Sequence, residues 1–433
     1  MKTITVKILI LLFSVLSTIS ISAQNLTERL ETLSQKFNFT YEELKTDTFF
    51  SEKYLLKIEE PLNYNKPESP TFTQRVFLSH LGFDKPVVFI TEGYAANYAA
   101  HPKYINELCP ILNANQICVE HRYFGESVPD SLDWQELTIF NAASDHHRVV
   151  EILKNIYDGK WVNTGISKGG QTVMYHRYFY PDDVDASVAY VAPLNFSTED
   201  KRVYSFLEHV GDSTCRELIF DFQFEMLENK NKYLPEFEKM AKKKNLTYKM
   251  GLERAYELTV FEYSFSFWQW GTTDCLSIQS TPDNPKAMIE HLNSVAGIDW
   301  ISNEGIAGFQ PFFYQALTEI GFYGYDISRF EGLTSFKSNP TFEFTAPEGV
   351  TVTYNAVPMQ KVDNFIRHIA DNMIFIYGET DPWSATSVNL TYSTNSIKIV
   401  KPGGSHRTRI NNLLLRQKEI VIDSLKQWLE IRD

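Results

Sequence analysis

Three short stretches of this chain hold residues that together would carry out acyl transfer. Gly165-Ile166-Ser167-Lys168-Gly169 fits the pattern G-x-S-x-G, in which glycines let a serine occupy a strained strand-to-helix turn with its hydroxyl standing clear of the backbone. A serine hydroxyl is a weak nucleophile near neutral pH, so a histidine must take its proton and a carboxylate must fix that histidine's tautomer. Both follow in the order serine, acid, base: Asp381 in Tyr377-Gly378-Glu379-Thr380-Asp381-Pro382-Trp383, and His406 in Gly403-Gly404-Ser405-His406. Glu379 is an alternative acid, but the position just before Pro382 suits a loop at the carboxyl end of a strand better. His406 alone among the histidines lies downstream of Asp381.

The oxyanion that forms during such a reaction needs donors. The backbone N–H of Lys168 would be one, and the N–H of Gly93 or of Tyr94 the other, because Thr91-Glu92-Gly93-Tyr94 closes an early strand where such a donor is supplied. Glu92 admits two readings: a structural ion pair, or a carboxylate that receives a substrate's α-ammonium. No metal or organic cofactor is required by this chemistry.

These residues need a scaffold that delivers strand ends to one edge. Tyr54 to Tyr64 and Thr71 to Leu81 alternate apolar and polar residues, as an antiparallel opening pair does. Pro86 to Ile90 and Gln116 to Val119 are instead short apolar runs, the pattern of strands buried on both faces. A helical spacing over Thr138 to Tyr157 leads to a strand from Trp161 to Ile166, a helix from Gly170 to about Phe179, and a strand from Ala186 to Val191. Strands resume at Met373 to Tyr377 and Ile397 to Val400, before a helix from about Asn411 to Ile431. The alternation predicts an α/β class, an α/β-hydrolase core with a mostly parallel sheet and helices on both faces. Between Leu194 and Phe365 it stops and the text turns helical and aromatic. The expected organisation is a core over 24–193 and 366–433, interrupted by a mainly helical cap over 194–365.

Met1-Lys2, an apolar run from Ile8 to Val15 and a small residue at Ala23 predict a secretory signal peptide over 1–23. The uninterrupted apolar part is short for a membrane span, so export to the periplasm or the extracellular space, without stable membrane insertion, is expected. In an oxidising compartment four cysteines pair more readily than they stay free. Two local pairs, Cys109 with Cys118 and Cys215 with Cys275, are expected, although four cysteines allow three connectivities. A zinc site is disfavoured by the absence of a C-x-x-C pair. The net charge of −13 argues against a nucleic-acid partner, which would require clustered Lys and Arg; Lys242-Lys243-Lys244 reads as a solvated helix face.

Longer segments add a resemblance. Glu120-His121-Arg122-Tyr123-Phe124-Gly125-Glu126-Ser127, GISKGGQT, Tyr175-His176-Arg177, Val191-Ala192-Pro193, YGETDPWSA and GGSH resemble the secreted tripeptidyl aminopeptidase family of prolyl-type serine peptidases. A more distant resemblance, through HRYFG and Tyr314-Gln315-Ala316-Leu317-Thr318-Glu319-Ile320-Gly321-Phe322-Tyr323, is to the lysosomal prolylcarboxypeptidase and dipeptidyl peptidase group. Those relatives usually carry a cysteine where this chain has Ala316, so their disulfide pattern does not transfer. The resemblance implies release of short peptides, often tripeptides, from substrates with a free N-terminus, with proline preferred at the cleaved bond. Glu92, Gln315, Glu319 and Trp383 are the candidate substrate-binding residues on this view, either carboxylate being able to hold the α-ammonium.

Overall fold

The computed structural model describes residues 25–47, 49–278, 281–391 and 393–431, so the expected signal peptide lies outside the described residues. The chain opens with helix α1 (Leu26–Phe37), whose start is fixed by the Asn25 side chain accepting the Glu28 N–H at 2.9 Å. Leu26, Leu30 and Leu33 form its buried stripe. Edge strand β1 (Phe39–Glu43) follows; neither element is foreseen in the sequence reading.

Strands β2 (Glu52–Pro61) and β3 (Thr71–His80) are the expected antiparallel pair, with β1 on the outer flank of β2. Strand β4 (Val87–Thr91), helix α2 (Leu108–Leu112), strand β5 (Asn115–Val119) and helix α3 (Ile139–Leu153) come next. They are followed by β6 (Trp161–Ile166), α4 (Lys168–Phe179) and β7 (Ala186–Tyr190). Six helices then interrupt the sheet: α5 (Arg202–His209), α6 (Ser213–Glu228), α7 (Lys230–Lys243), α8 (Leu252–Trp270), α9 (Pro285–Ala296) and α10 (Asn303–Gln315). Helix α11 (Val357–His368) packs back onto α4 and leads into β8 (Met373–Gly378), β9 (Ile397–Lys401) and α12 (Leu415–Trp428).

The sheet order is β1-β2-β3-β5-β4-β6-β7-β8-β9, antiparallel as far as the β3–β5 pair and parallel from there on. This is the α/β-hydrolase arrangement. Strand β8 shows why its sequence reads as one apolar run. Met373, Phe375 and Tyr377 face the cluster that includes α4 and α11, while Ile374 and Ile376 face the cluster that includes α2 and α12, since successive side chains point to opposite faces.

The cysteines require a correction. Cys215, on α6, is bonded to Cys275, as expected, and ties the helical segment across a sequence separation of 60. Cys109 and Cys118 are both free and buried. Helix α2 delivers the Cys109 thiol to the beginning of β5, where it meets the Gln116 side chain at 3.6 Å and the Asn115 carbonyl at 3.9 Å. Cys118 lies two residues further along β5, roughly 7 Å away at strand spacing, with its sulfur beside the Tyr98 hydroxyl at 3.8 Å. Nearness in sequence did not bring the two sulfurs together.

Candidate active site

Ser167 stands between the end of β6 and the first turn of α4, with φ 55° and ψ −119°. A non-glycine residue there costs on the order of 1–3 kcal/mol. The turn is held by the Ser167 N–H donating to the Tyr190 carbonyl at 2.8 Å. A Cβ on Gly165 would overlap the Gly169 carbonyl, so strand and helix can approach this closely only with glycine at that position.

The other two chemical residues arrive on neighbouring strand ends. Asp381 is fully buried after β8, and its Oδ1 accepts the Trp383 N–H at 3.2 Å. Its Oδ2 lies 2.7 Å from His406 Nδ1. The loop carrying His406 is tied to the one carrying Asp381 through the Gly404 carbonyl, which accepts both the N–H and the hydroxyl of Thr380 at 2.8 and 2.9 Å. Glu379, the alternative acid, instead accepts the Gly403 N–H at 2.7 Å.

Ser167 and His406 line one cleft of about 520 Å³ together with Glu92, Tyr94, Lys168 and Trp383. The helical segment contributes further walls: Gln269 and Trp270 at the end of α8, and Phe309, Phe312 and Phe313 on α10. The segment Tyr314 to Tyr323 closes α10 with a π-helical turn over Ala316–Ile320 and then sends Phe322 and Tyr323 into the cleft. Tyr323 stacks on Phe265 with centroids 3.9 Å apart and meets Trp383 edge-on at 5.2 Å, giving a rigid aromatic wall.

The candidate residues therefore divide. Glu92 and Trp383 are in the cleft with Ser167. Glu319 is not: its Oε2 accepts the Ile139 N–H at 2.7 Å at the first turn of α3, a favourable place for a carboxylate. Burial pushes its pKa up to about 7. Gln315 is fully buried near the end of α10, outside the cleft lining.

Around the second proposed donor, the Gly93 N–H donates to Glu92 Oε2 at 3.2 Å, whereas among the described residues no acceptor meets the Tyr94 N–H. Lys168 begins α4, so its own N–H has no intrahelical acceptor. Tyr98 donates to Glu92 Oε1. Burial raises the Glu92 pKa, opposed by the Tyr98 and Gly93 hydrogen bonds and by the nearby Lys168.

Sequence reasoning missed the support of this loop. Glu120 is fully buried, pairs with Arg75 at 2.5 Å and accepts the Ala96 N–H at 2.9 Å, while the His121 N–H donates to the Tyr94 carbonyl at 3.2 Å. Arg122 makes a second buried pair with Asp145 at 2.6 Å. Glu120 and His121 thus brace the loop beside Ser167, while Arg122 anchors the segment to α3; the signal available was a cluster of charged residues directly after an apolar strand.

Among the described residues, no helix is long and apolar enough to cross a membrane, and no cluster of His, Cys, Asp or Glu has the makings of a metal site. Residues 27–432 match the model of the PS-10 peptidase S37 family. The chain is 32% identical over 384 residues to the prolyl tri/tetrapeptidyl aminopeptidase of Streptomyces mobaraensis, covering 87% of this chain and 80% of that protein. It is 29% identical over 155 residues to prolyl carboxy peptidase like protein 5 of Caenorhabditis elegans, 31% of each chain. Among solved structures it is similar to the proline iminopeptidase of Mycobacterium smegmatis, at 12% identity and a TM-score of 0.41, covering 87% of this chain and 100% of that one. With the family model spanning nearly the whole chain, this protein is a serine peptidase belonging to the PS-10 peptidase S37 family.

Proposed function

We propose that the protein is an exported exopeptidase that releases short peptides, chiefly tripeptides, from free N-termini with proline preferred at the cleaved bond. Ser167 is the nucleophile, His406 the base and Asp381 its orienting acid. The observation that carries this reading is the shared cleft of Ser167 and His406, with His406 Nδ1 held 2.7 Å from Asp381 Oδ2. That contact leaves Nε2 to take the serine proton. Ser167 then attacks the scissile carbonyl, and the N–H groups of Lys168 and Tyr94 receive the oxyanion. His406 returns the proton to the leaving amine, and water repeats the sequence on the acyl-enzyme.

The substrate class is supported by the cleft walls. Tyr94, Phe322, Tyr323 and Trp383 offer flat apolar faces to a pyrrolidine ring, and Glu92 offers a carboxylate to an α-ammonium. A volume of about 520 Å³ falls within the roughly 300–1,000 Å³ of ligand-sized sites. The 194–365 segment acts as the cap that limits access. Export is supported by the residue pattern of 1–23 and by the Cys215–Cys275 disulfide.

The test is mass spectrometry of a proline-containing peptide, with free or acetylated N-terminus, after digestion by the wild type and by Ser167→Ala. Release of an N-terminal tripeptide from the free-amine substrate alone, lost in the variant, is the expected result. Equal cleavage of both substrates would remove the exopeptidase reading, and ester hydrolysis without peptide cleavage would replace it with an esterase.

A further inference from the structure

Lys168 has two ends that meet the same loop, and only one of them is the backbone donor already considered. Lys168 is 2% exposed, and its Nζ donates to the Gly93 carbonyl at 2.7 Å. The Gly93 carbonyl and the Tyr94 N–H belong to one peptide unit. That unit is planar and rigid, so a group that holds its oxygen also aims its N–H.

We propose that the Lys168 side chain is a positioning residue of the oxyanion site, holding the Gly93 carbonyl so that the Tyr94 N–H is both oriented toward the cleft and strengthened as a donor. The proposal rests on the acyl-transfer reading of Ser167 given above.

Three further observations support it. The path of the side chain is built for this contact, because a Cβ on Gly93 would lie 2.7 Å from both Cβ and Cγ of Lys168. Gly93 is what lets the lysine pass beneath the loop. Nζ also lies over the rings of Tyr94 and Phe124, at 5.6 and 5.4 Å from their centroids, so the end of the side chain has a defined seat. Finally, the neighbouring Gly93 N–H is taken by Glu92, whereas the Tyr94 N–H meets no acceptor among the described residues. A donor placed on a carbonyl polarises the far end of the same peptide, and hydrogen bonds linked in this way strengthen one another. Burial lowers the Lys168 pKa well below its ordinary value, opposed by the Glu92 carboxylate; the contact with Gly93 does not depend on the charge, since a neutral amine also donates.

The experiment compares wild type with Lys168→Met, which keeps an unbranched apolar stem out to Cε but cannot donate. Three quantities are read: the rate of labelling by a fluorophosphonate, kcat and KM on a proline-containing peptide, and the affinities of a peptide aldehyde and of the matching peptide acid. The aldehyde forms a tetrahedral adduct with an oxyanion, whereas the acid does not. The expected result is a fall in kcat, labelling rate and aldehyde affinity of roughly 10- to 100-fold, below the ~10²–10³ for complete loss of a donor. KM and acid affinity are expected to stay within about threefold of wild type, too little to count as a loss of binding.

Unchanged kcat and aldehyde affinity, or an equal loss of acid affinity, would overturn the proposal. If Lys168→Met does not fold, the aldehyde and acid affinities are compared in Lys168→Leu, which likewise cannot donate, with the same criterion. Wild-type labelling without peptide cleavage would dismiss the exopeptidase reading alone, and the labelling rates would still decide the role of Lys168.

Discussion

The N–H of His406 donates to the carbonyl of Gln269 at 2.8 Å. One residue belongs to the loop after β9 and the other to the last turn of α8, so the helical segment fixes the backbone of the proposed base directly. The Trp270 ring stands edge-on to the imidazole at 5.8 Å. Helix α8 ends at Gly271 with φ 56°, and a Cβ there would lie 3.1 Å from the Ser405 Cβ.

Gly271→Val is therefore expected to displace the His406 loop, lowering kcat about 10-fold, one transition-state contact weakened by roughly 1.4 kcal/mol. Gly332→Ala is the control, since Gly332 also has positive φ, 83°, but has open space around it. Both variants should lose stability from the left-handed backbone, about 1 kcal/mol for the alanine and more for the β-branched valine. Only Gly271→Val should lose turnover; an equal loss of kcat in both would mean that the α8 terminus does not hold the base.

The cysteines should divide in solution as they do in the fold, Cys215 bonded to Cys275 and Cys109 and Cys118 free. Cys109 and Cys118 are fully buried, and burial raises both thiol pKa values, so neither should react with a thiol reagent until the protein is unfolded, when both should. Replacing Cys215 and Cys275 by serine releases a cross-link with a sequence separation of 60, which on loop entropy alone is worth about 4 kcal/mol. Urea denaturation of that double variant should show a correspondingly lower midpoint. Reaction of two thiols in the native protein would contradict the packing of α2 against β5.

Much of the site was legible because its constraints are local. The glycines around Ser167 answer to a clash within five residues, and β8 announces itself as a short apolar run because both of its faces are buried. Strand β1 was not legible: as an edge strand with one buried residue, Phe39, its sequence resembles a polar loop. The Arg75–Glu120 pair joins residues 45 apart, and no spacing rule connects them. Glu319 shows the same limit. A carboxylate near a helix end can face a ligand or another helix, and only tertiary packing, here the start of α3, decides.

Two buried carboxylates should leave a mark on stability. Burial pushes both Glu262 and Glu319 up to about 7, and Glu262 accepts the hydroxyls of Tyr323 and Tyr325 at 2.9 and 2.6 Å. A raised folded-state pKa means that the native protein holds a proton the unfolded chain has released. Stability from this source is complete below the unfolded value near 4.5 and declines as pH rises to about 7. Glu262→Gln removes that decline. Relative to wild type, it should be of similar stability at acid pH and more stable above neutrality, by on the order of 3 kcal/mol. Urea denaturation at the two pH extremes checks this, and parallel pH profiles would refute it.

Glu92 offers a different pH signature, in binding rather than folding. It is the carboxylate that shares the cleft with Ser167, and burial raises its pKa above the ordinary carboxylate value. An α-ammonium is attracted by the ionised form only, so KM for free-amine peptides should rise as pH falls through the Glu92 titration. Glu92→Gln should flatten that limb and raise KM about 10- to 100-fold, the worth of one charge-assisted hydrogen bond. Turnover of a small ester without an amine separates this role from damage to the neighbouring oxyanion loop, because it uses Ser167 and the Tyr94 N–H but has nothing for Glu92 to hold. Ester turnover unchanged with peptide KM raised would identify Glu92 as the group that recognises the N-terminus; loss of both would make it a brace for Gly93 and Tyr98 instead.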